Sequence, residues 1–281
     1  MTIGCKNIGE TTRLTFSRPG LTATQTRDKN KSTAIKFIVT IPEDATPVIC
    51  EARVVGRFGV SNPRGFAIGD RPEIVATDLN IAVNDAVAIP LGSVANGRFA
   101  SVNPVWFKFT AQSGQRVLID CQTTALDSKT EPVLTVQAAN GRELARNHRG
   151  GLLDFTAPAD GDYRLKLHDS TFRFNEELFY RLTVGAGPWI DFIHPSAGLP
   201  GTKSKFTVYG RNLPGGTPAS GLVVDGRPLE QLEVEIELPG DDVARQRVEP
   251  RTPIRPGPAA LDGLQYRLTG PQGVSTPVRA G

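Results

Sequence analysis

The 281-residue sequence has few of the features that mark helical, membrane-bound or nucleic-acid-binding proteins. Methionine occurs once and tryptophan twice, against 29 glycines and 22 prolines, a balance typical of short strands joined by tight turns and not of a helical bundle. No apolar run approaches the roughly 18 residues of a membrane-spanning helix. The first residues contain no signal-peptide pattern. The net charge of +3 is too small to indicate nucleic acid or anionic lipid as the partner.

The sequence also lacks the common motifs of catalysis and zinc binding. His148, His168 and His194 are isolated, none has an H-x-x-x-H partner, and no G-x-S-x-G turn is present. The cysteines Cys5, Cys50 and Cys121 show no C-x-x-C spacing. We therefore expect three surface histidines, no catalytic residues and no enzymatic activity within these residues.

Three clusters of like charge are better explained as solvated loop residues than as catalytic or nucleic-acid-binding sites. The acidic pairs Glu176-Glu177 and Asp241-Asp242 are adjacent in loops, whereas glycoside hydrolysis needs two carboxyl groups facing each other across a cleft. The basic run Arg27, Lys29 and Lys31 has no neighbouring aromatic residues on which bases could stack. We expect solvated loops at these places and no nucleic-acid partner.

Short alternating segments predict strands along most of the chain. They are rich in Val, Thr and aromatic residues and are bounded by Gly, Pro, Asn or Asp: Thr33–Pro42, Cys50–Gly56, Val105–Ala111, Arg116–Cys121, Asp162–Leu167, Phe179–Val184 and Lys205–Tyr209. Most aromatic residues of these strands, Trp106 included, are expected in the core. Only Phe172–Leu178 and the stretch near Glu230 could form a helical turn. The predicted fold class is all-β, built from sandwiches.

An internal repeat divides the sequence. Arg53, Gly56, Gly59, Val60, Ser61 and Pro63 recur 214 residues later, and the segment beginning at Thr2-Ile3 recurs 205 residues later as Thr207-Val208, with Lys6-Asn7-Ile8 matching Arg211-Asn212-Leu213. We therefore predict three domains, at residues 1–70, 71–187 and 188–281, joined by short Gly/Pro-containing segments.

The repeat also predicts that both terminal domains are cut short. The segment 188–205 has no counterpart before Met1, and the strand at 66–69 has no complete counterpart near Gly281. We expect the first domain to lack its opening strand, unless it evolved without it. An unpaired sheet edge of this kind favours association with another chain.

The middle segment resembles the bacterial pre-peptidase C-terminal domain. The motifs that carry the resemblance are F-x-F-x-A-x-x-G-Q at 107–115, the P-x-L-x-V strand at 132–136 with its N-G-x-x-L-A-x-N continuation, and F-x-A-P-A-D-G-x-Y at 155–163 with Y-x-L-x-V at 180–184. The flanking repeats are similar to immunoglobulin-like IPT/TIG domains, through P-x-x-G-x-x-G at 195–201 and V-x-G-x-N-L at 208–213. The resemblance implies an Ig-like domain, a jelly-roll-like sandwich and a second Ig-like domain.

Proteins of these families suggest a non-catalytic accessory, adhesion or ligand-binding segment of an exported bacterial protein, located outside the cell or in its envelope. The alternative is an accessory fragment of a secreted peptidase or other hydrolase whose catalytic domain lies elsewhere. An unknown protein or polysaccharide is the expected ligand, and neighbouring domains of a longer polypeptide are expected partners. No membrane insertion is expected.

Calcium is the one cofactor that the resemblance suggests. Members of the family often hold it near an acidic stretch that here corresponds to 76–80, so Asp78, Asn80 and Asp85 are candidate ligands. One carboxylate and a proline of the family pattern are missing, and calcium needs about six to eight oxygens. The alternative that these residues cap and solvate a turn is favoured.

Ligand-binding residues are sought at the joint after residue 187, because sandwich ends and joints are common binding surfaces. Trp189, Arg181 and Phe192 are the candidates there. Alternation places Cys5 and Cys50 inside the first sandwich, near opposite ends of its core, so we expect three buried, reduced cysteines.

Overall fold

The protein is almost entirely β-structure, as the sequence predicts. The computed structural model describes residues 2–4, 11–26, 34–76, 80–148, 150–175, 177–240 and 264–281. Within these ranges the helical residues form two 3₁₀ turns, Val83–Asp85 and Thr124–Leu126, and no helix approaches the length and hydrophobicity of a membrane span. The chain forms two compact units: Met1–Asp70 with Ala125–Asp127, and Arg71–Thr124 with Ser128–Gly281.

The first unit contains two small sheets around a small apolar core. Its described strands are β1 (Thr2–Gly4), β2 (Thr11–Phe16), β3 (Thr22–Thr26), β4 (Ala34–Thr40), β5 (Val48–Gly56), β6 (Gly59–Val60) and β7 (Arg64–Ile68). One sheet has the order β1-β4-β3; in the other, β5 pairs with β2, β6 and β7. Leu14, Phe37 and Ala52 form the buried centre, and the rings of Phe16 and Phe66 pack 5.2 Å apart beside it.

The larger part of the second unit is a sandwich of two five-stranded sheets. Its strands are β8 (Glu73–Val75), β9 (Val87–Ala88), β10 (Ser93–Arg98), β11 (Val105–Ala111), β12 (Arg116–Gln122), β13 (Pro132–Gln137), β14 (Glu143–Asn147), β15 (Gly151–Thr156), β16 (Gly161–Asp169) and β17 (Phe179–Gly185). The sheet orders are β15-β12-β17-β10-β8 and β14-β13-β16-β11-β9. Side chains at every second position fill the space between the sheets, because successive residues of a strand point to opposite faces.

The remainder of the second unit has its own core. Its described strands are β18 (Trp189–His194), β19 (Lys203–Arg211), β20 (Thr217–Val224), β21 (Arg227–Glu237), β22 (Leu264–Tyr266), β23 (Thr269–Gly270), β24 (Gly273–Val274) and β25 (Val278–Ala280). The main sheet has the order β18-β19-β21-β20, and the described strands also form two short pairs, β22-β25 and β23-β24. Phe206, Val208 and Ile190 lie at the centre of this core.

The internal repeat corresponds to one hairpin that occurs twice. Gly59 and Gly273 adopt φ angles of 117° and 111°, a region that favours glycine. The Ser61 hydroxyl accepts a hydrogen bond from Val54 N at 3.0 Å, and the Ser275 hydroxyl accepts one from Leu268 N at 2.8 Å. Each serine then donates to the carbonyl of the next residue. The matching residues therefore encode the same turn and the same serine bridge.

Two sequence expectations need correction or restriction. Glu230 lies in the long strand β21, so the expected helical turn there is wrong. The carboxylate of Glu230 accepts hydrogen bonds from Asn212 N and Leu213 N, which uses the residue to hold the end of β19. Cys50 and Cys121 are buried, and Cys121 is a free thiol, whereas Cys5 lies outside the described residues. Burial raises the pKa of the Cys121 thiol well above its usual value.

A buried ion-pair network ties the two cores of the second unit together. The Arg116 guanidinium donates two hydrogen bonds to the Asp154 carboxylate, at 2.9 and 2.5 Å, and one to Glu230 at 3.0 Å. Arg211, only 2% exposed, lies 3.0 Å from both Asp154 and Asp191. Asp154 thus bridges two arginines that belong to different sheets. Buried charges at such distances are tolerable only because each is paired.

We predict that Arg211→Met destabilises the second unit by about 3 kcal/mol, because it removes the buried cation that Asp154 and Asp191 share. Calorimetric melting measures the loss. Lys203→Gln is the matched control, since it breaks an exposed pair with Glu235 and should change the melting temperature little. Equal small effects of the two variants would show that the network contributes nothing.

Gly210 has room for no side chain. A Cβ atom there would lie 2.0 Å from the carbonyl oxygen of Trp189, where β18 bulges between Ile190 and Phe192. We predict that Gly210→Ala lowers stability by about 2 to 3 kcal/mol through overpacking, measured by urea denaturation. Gly185→Ala is the control, since its nearest contact would be an ordinary 3.5 Å. If Gly210→Ala were as stable as the wild type, the close approach of the Trp189 carbonyl to Gly210 at the bulge would be contradicted.

Candidate binding surface

The outer side of one sheet in the second unit carries an unusual set of side chains. Phe107, Phe109 and Leu165 of β11 and β16 point into the core, so the residues between them point outward. These outward residues, with Arg146 of β14, form the surface that we call the basic face: Trp106, Lys108, Arg146, Arg164 and Lys166. Strand pairing fixes their arrangement, with Trp106 opposite Lys166, Lys108 opposite Arg164, and Arg146 next to the same row through Thr135.

The central cations of the basic face are poorly balanced. Arg146 pairs with Glu143, but Lys108, Arg164 and Lys166 form no ion pair within the described part of the chain. The Lys166 ammonium lies 5.9 Å from the centre of the Trp106 ring, close enough for a cation–π attraction. Lys108 and Arg164 lie directly opposite each other, and like charges in that position destabilise a sheet. An anion bound at this place would therefore contact cations of two adjacent strands.

An aromatic rim borders one end of the basic face. His168, the next outward residue of β16, stacks on Phe172 with the ring centres 4.3 Å apart and the planes 6° from parallel. Phe172 has a φ of 54°, which a bulky side chain rarely adopts. Phe172 and Phe174 are 45% and 52% exposed. The loop after β16 thus presents two aromatic rings to solvent at some conformational cost.

Asp169 holds that loop in place. Its buried carboxylate accepts hydrogen bonds from Thr171, from the guanidinium and backbone of Arg173, and from Glu131 N. Although burial alone would raise the pKa of Asp169, the bonds from Arg173 and the others hold it well below its usual value. The carboxylate therefore stays charged and fixes the path of the rim.

The residues expected to bind calcium do not form an obvious ligand set. Asn80 is buried, and its amide group donates to the Trp106 carbonyl at 3.1 Å. Asp85 lies exposed in the 3₁₀ turn Val83–Asp85, and Asp78 lies outside the described residues. No group of three His, Cys, Asp or Glu side chains comes together in the ranges that the structure describes. Asn80 thus helps to hold the edge of β11, and the calcium site stays a prediction.

The structure does not bring the three predicted ligand-binding residues together. Arg181 lies in the middle of β17, buried against Glu73 at 2.6 Å and Asn96 at 3.1 Å. Trp189 and Phe192 belong to β18 in another sheet, where the Phe192 ring stacks on Tyr209 at 4.7 Å. Arg181 therefore has a structural ion pair, and Phe192 is 39% exposed.

The other sequence candidates are dispersed. His148 and His194 are exposed, whereas His168 is partly buried in the rim. Glu177 pairs with Lys129 at 2.7 Å. Glu176, the pair Asp241-Asp242, and the basic residues Arg27, Lys29 and Lys31 lie outside the described residues.

Sequence reasoning missed the basic face. Trp106 was expected in the core, but it alternates with Phe107 and faces outward, partly buried. A signal was present, since the strand at 162–167 alternates Arg164 and Lys166 with apolar residues. The sequence alone does not show that β11 pairs with β16, and this pairing places Lys108 beside Arg164.

Comparison with known proteins finds matches among solved structures. No model of a known protein family and no curated protein sequence matches the chain. Similar structures include a periplasmic inhibitor of g-type lysozyme, PliG, from Aeromonas hydrophila (17% identity, 36% of this chain and 96% of that chain, TM-score 0.29). Another is the pre-peptidase C-terminal domain of a collagenase from Bacillus anthracis (16% identity, 41% of this chain and 99% of that chain, TM-score 0.29). A pre-peptidase C-terminal domain is thus among the structural neighbours, whereas the IPT/TIG resemblance stays a prediction.

We predict that the pKa of His168 lies below its ordinary value of 6.5. Burial lowers it first, the charges of Lys166 and Arg146 lower it further, and contacts with Asp169 oppose them only in part. Protonation of His168 is thus penalised in the folded state, so its contribution to stability declines as the pH falls through 6.5. Titration of the ring by NMR measures the pKa.

Lys166→Gln should raise the pKa of His168, and Lys203→Gln on another sheet should leave it unchanged. A His168 pKa at or above 6.5 in the wild type would contradict this account of the basic face. So would a His168 pKa that is the same in Lys166→Gln as in the wild type.

Proposed function

We propose that this chain is a non-catalytic binding segment of an exported protein, and that its basic face binds a linear anionic polysaccharide. The observation that supports the proposal most strongly is the juxtaposition of Lys108 and Arg164 on adjacent strands. A carboxylate or sulfate group bound between them would turn an unfavourable pair into two favourable contacts.

The layout of the basic face favours a polymer over a small anion. Neighbouring strands are about 5 Å apart and alternate residues on one strand about 7 Å apart, so Lys108, Arg164 and Lys166 form a regular, open grid. A chain with repeated acidic groups can contact several of these cations at once, which raises its affinity over that of a single group.

Trp106 and the rim favour a sugar chain over an acidic protein or a nucleic acid. Aromatic rings present flat apolar surfaces beside polar groups, which suits the alternating apolar and hydroxylated faces of sugar rings. Trp106 lies beside Lys166, and Phe172 stacks on His168, the next outward residue of the same strand.

The histidine positions support the non-catalytic part of the proposal. His168 uses its ring for stacking on Phe172, with Nδ1 at 2.9 Å from the Asp169 carbonyl oxygen, and His148 and His194 lie on separate exposed segments. An accessory segment of a secreted hydrolase would use the basic face in the same way. Both versions place the chain outside the cell or in its envelope.

We predict that the double variant Lys108→Gln/Arg164→Gln weakens binding to immobilised polygalacturonate or heparin at least tenfold, because each removed cation loses a charge-assisted contact. Binding is measured by surface plasmon resonance at two salt concentrations, and the wild-type affinity should fall at the higher one. Lys203→Gln, which removes an exposed cation from another sheet, should bind as the wild type does.

The same double variant separates function from stability. Because it removes a like-charge pair, its melting temperature should equal or exceed that of the wild type. A large loss of stability would identify the pair as structural. No binding by the wild type, or tighter binding to single-stranded DNA than to either polysaccharide, would contradict the proposal.

A further inference from the structure

The tetrapeptide Ala-Asn-Gly-Arg occurs twice in the chain, at residues 95–98 and 139–142. Asn-Gly pairs are especially prone to deamidation, because glycine has no side chain to keep its backbone nitrogen away from the preceding carboxamide. The two copies have the same immediate neighbours, so local sequence alone predicts similar reactivity for both. A difference between them would therefore report how each copy is folded.

The first copy is fixed inside a sheet. Asn96 lies in β10, between the neighbouring strands β17 and β8. Its carboxamide donates a hydrogen bond to Glu73 at 2.8 Å and accepts one from Arg181 at 3.1 Å. A Cβ on Gly97 would lie 2.3 Å from the Tyr180 hydroxyl oxygen, so the backbone there is closely covered. To react, the Asn96 side chain would have to leave both partners and the strand would have to leave its neighbours.

The second copy is an exposed turn between β13 and β14. Asn140, Gly141 and Arg142 are all exposed, and a Cβ on Gly141 would meet nothing within 4 Å. Asn140 Oδ1 accepts a hydrogen bond from Arg142 N at 3.0 Å. A bond of this kind folds the side chain along its own backbone and brings Cγ close to the nitrogen of the intervening glycine. That nitrogen donates to Ala138 O at 2.9 Å, a bond that must open first, and bonds of exposed turns open at low free energy.

We propose that Asn140 is a site of spontaneous deamidation and that the fold protects Asn96 from the same reaction. The Gly141 nitrogen attacks Cγ of Asn140, and a new C–N bond forms. The bond from Cγ to Nδ2 breaks, and ammonia leaves with the proton that the Gly141 nitrogen has lost. Water then opens the resulting cyclic imide at one of its two carbonyl groups, which gives aspartate or isoaspartate at position 140.

The product differs from the original chain in charge and in backbone length. A carboxylate replaces a neutral amide, which lowers the net charge of +3 by one unit, and isoaspartate adds one carbon to the main chain at the turn. Both changes fall on the hairpin of β13 and β14, which also carries Arg146. The inference concerns only the chemistry of this turn and does not depend on the polysaccharide proposal.

The test compares the two Asn-Gly pairs within one sample of the full chain. The folded protein is incubated in mildly alkaline buffer, and deamidation at each position is followed by peptide mass spectrometry, with electron-transfer fragmentation to identify isoaspartate. Asn140 should react at least about tenfold faster than Asn96, because only Asn96 must leave a sheet to react. In urea, where the fold is lost, the two rates should become similar because the tetrapeptides are identical.

Asn140→Gln is the matched variant, since glutamine keeps the amide group but would have to form a less favourable, larger ring. It should abolish the modification at the turn, leave the rate at Asn96 unchanged and preserve the melting temperature, because position 140 is exposed. Equal rates at the two positions of the folded chain, or a faster reaction of Asn96, would overturn the proposal. So would a preference for Asn140 that persists in urea, or a folded chain that does not react at Asn140 while the unfolded chain does.

Discussion

The alternation of side chains along β11 and β16 is the constraint on which the second unit depends. A strand sends successive residues to opposite faces, so burying Phe107 and Leu165 commits Lys108 and Arg164 to the outer face. The pairing of the two strands then sets those cations opposite each other. One packing requirement thus produces both the core and the basic face. A shift of one residue in register would destroy both together.

The ion-pair network is the second determinant of the unit. Asp154 accepts a hydrogen bond from Arg116, the first residue of β12, and lies 3.0 Å from Arg211 of β19 in another sheet. Because removal of one buried partner leaves the others uncompensated, these groups resist relative movement of the two cores. The basic face lies on the other sheet of the sandwich, β14-β13-β16-β11-β9. Its outer side is open to solvent, so a ligand could reach it without the movement of a loop.

Local signals predicted more of the fold than of the site. The strand Val105–Ala111 has the predicted bounds, and the repeated Gly-Val-Ser turn proved to be one hairpin formed twice, because φ angles and a serine bridge are properties of a few adjacent residues. Arg181 shows the limit, since its burial beside Glu73 depends on the parallel pairing of β8 with β10, which no local pattern contains. The basic face was missed for the same reason, and Glu230 was misassigned because its role is set by contacts with Asn212 and Leu213.

The most direct test of the central claim is to map an anionic oligosaccharide on the ¹⁵N-labelled chain by NMR. Titration with an oligogalacturonate should shift the amide signals of Trp106, Lys108, Arg164 and Lys166 together, along one binding curve, and should move the His168 ring toward a higher pKa as an anion approaches it. Shifts confined to β18 and its neighbours, or scattered over cations of several sheets, would contradict the assignment of the binding site to the basic face.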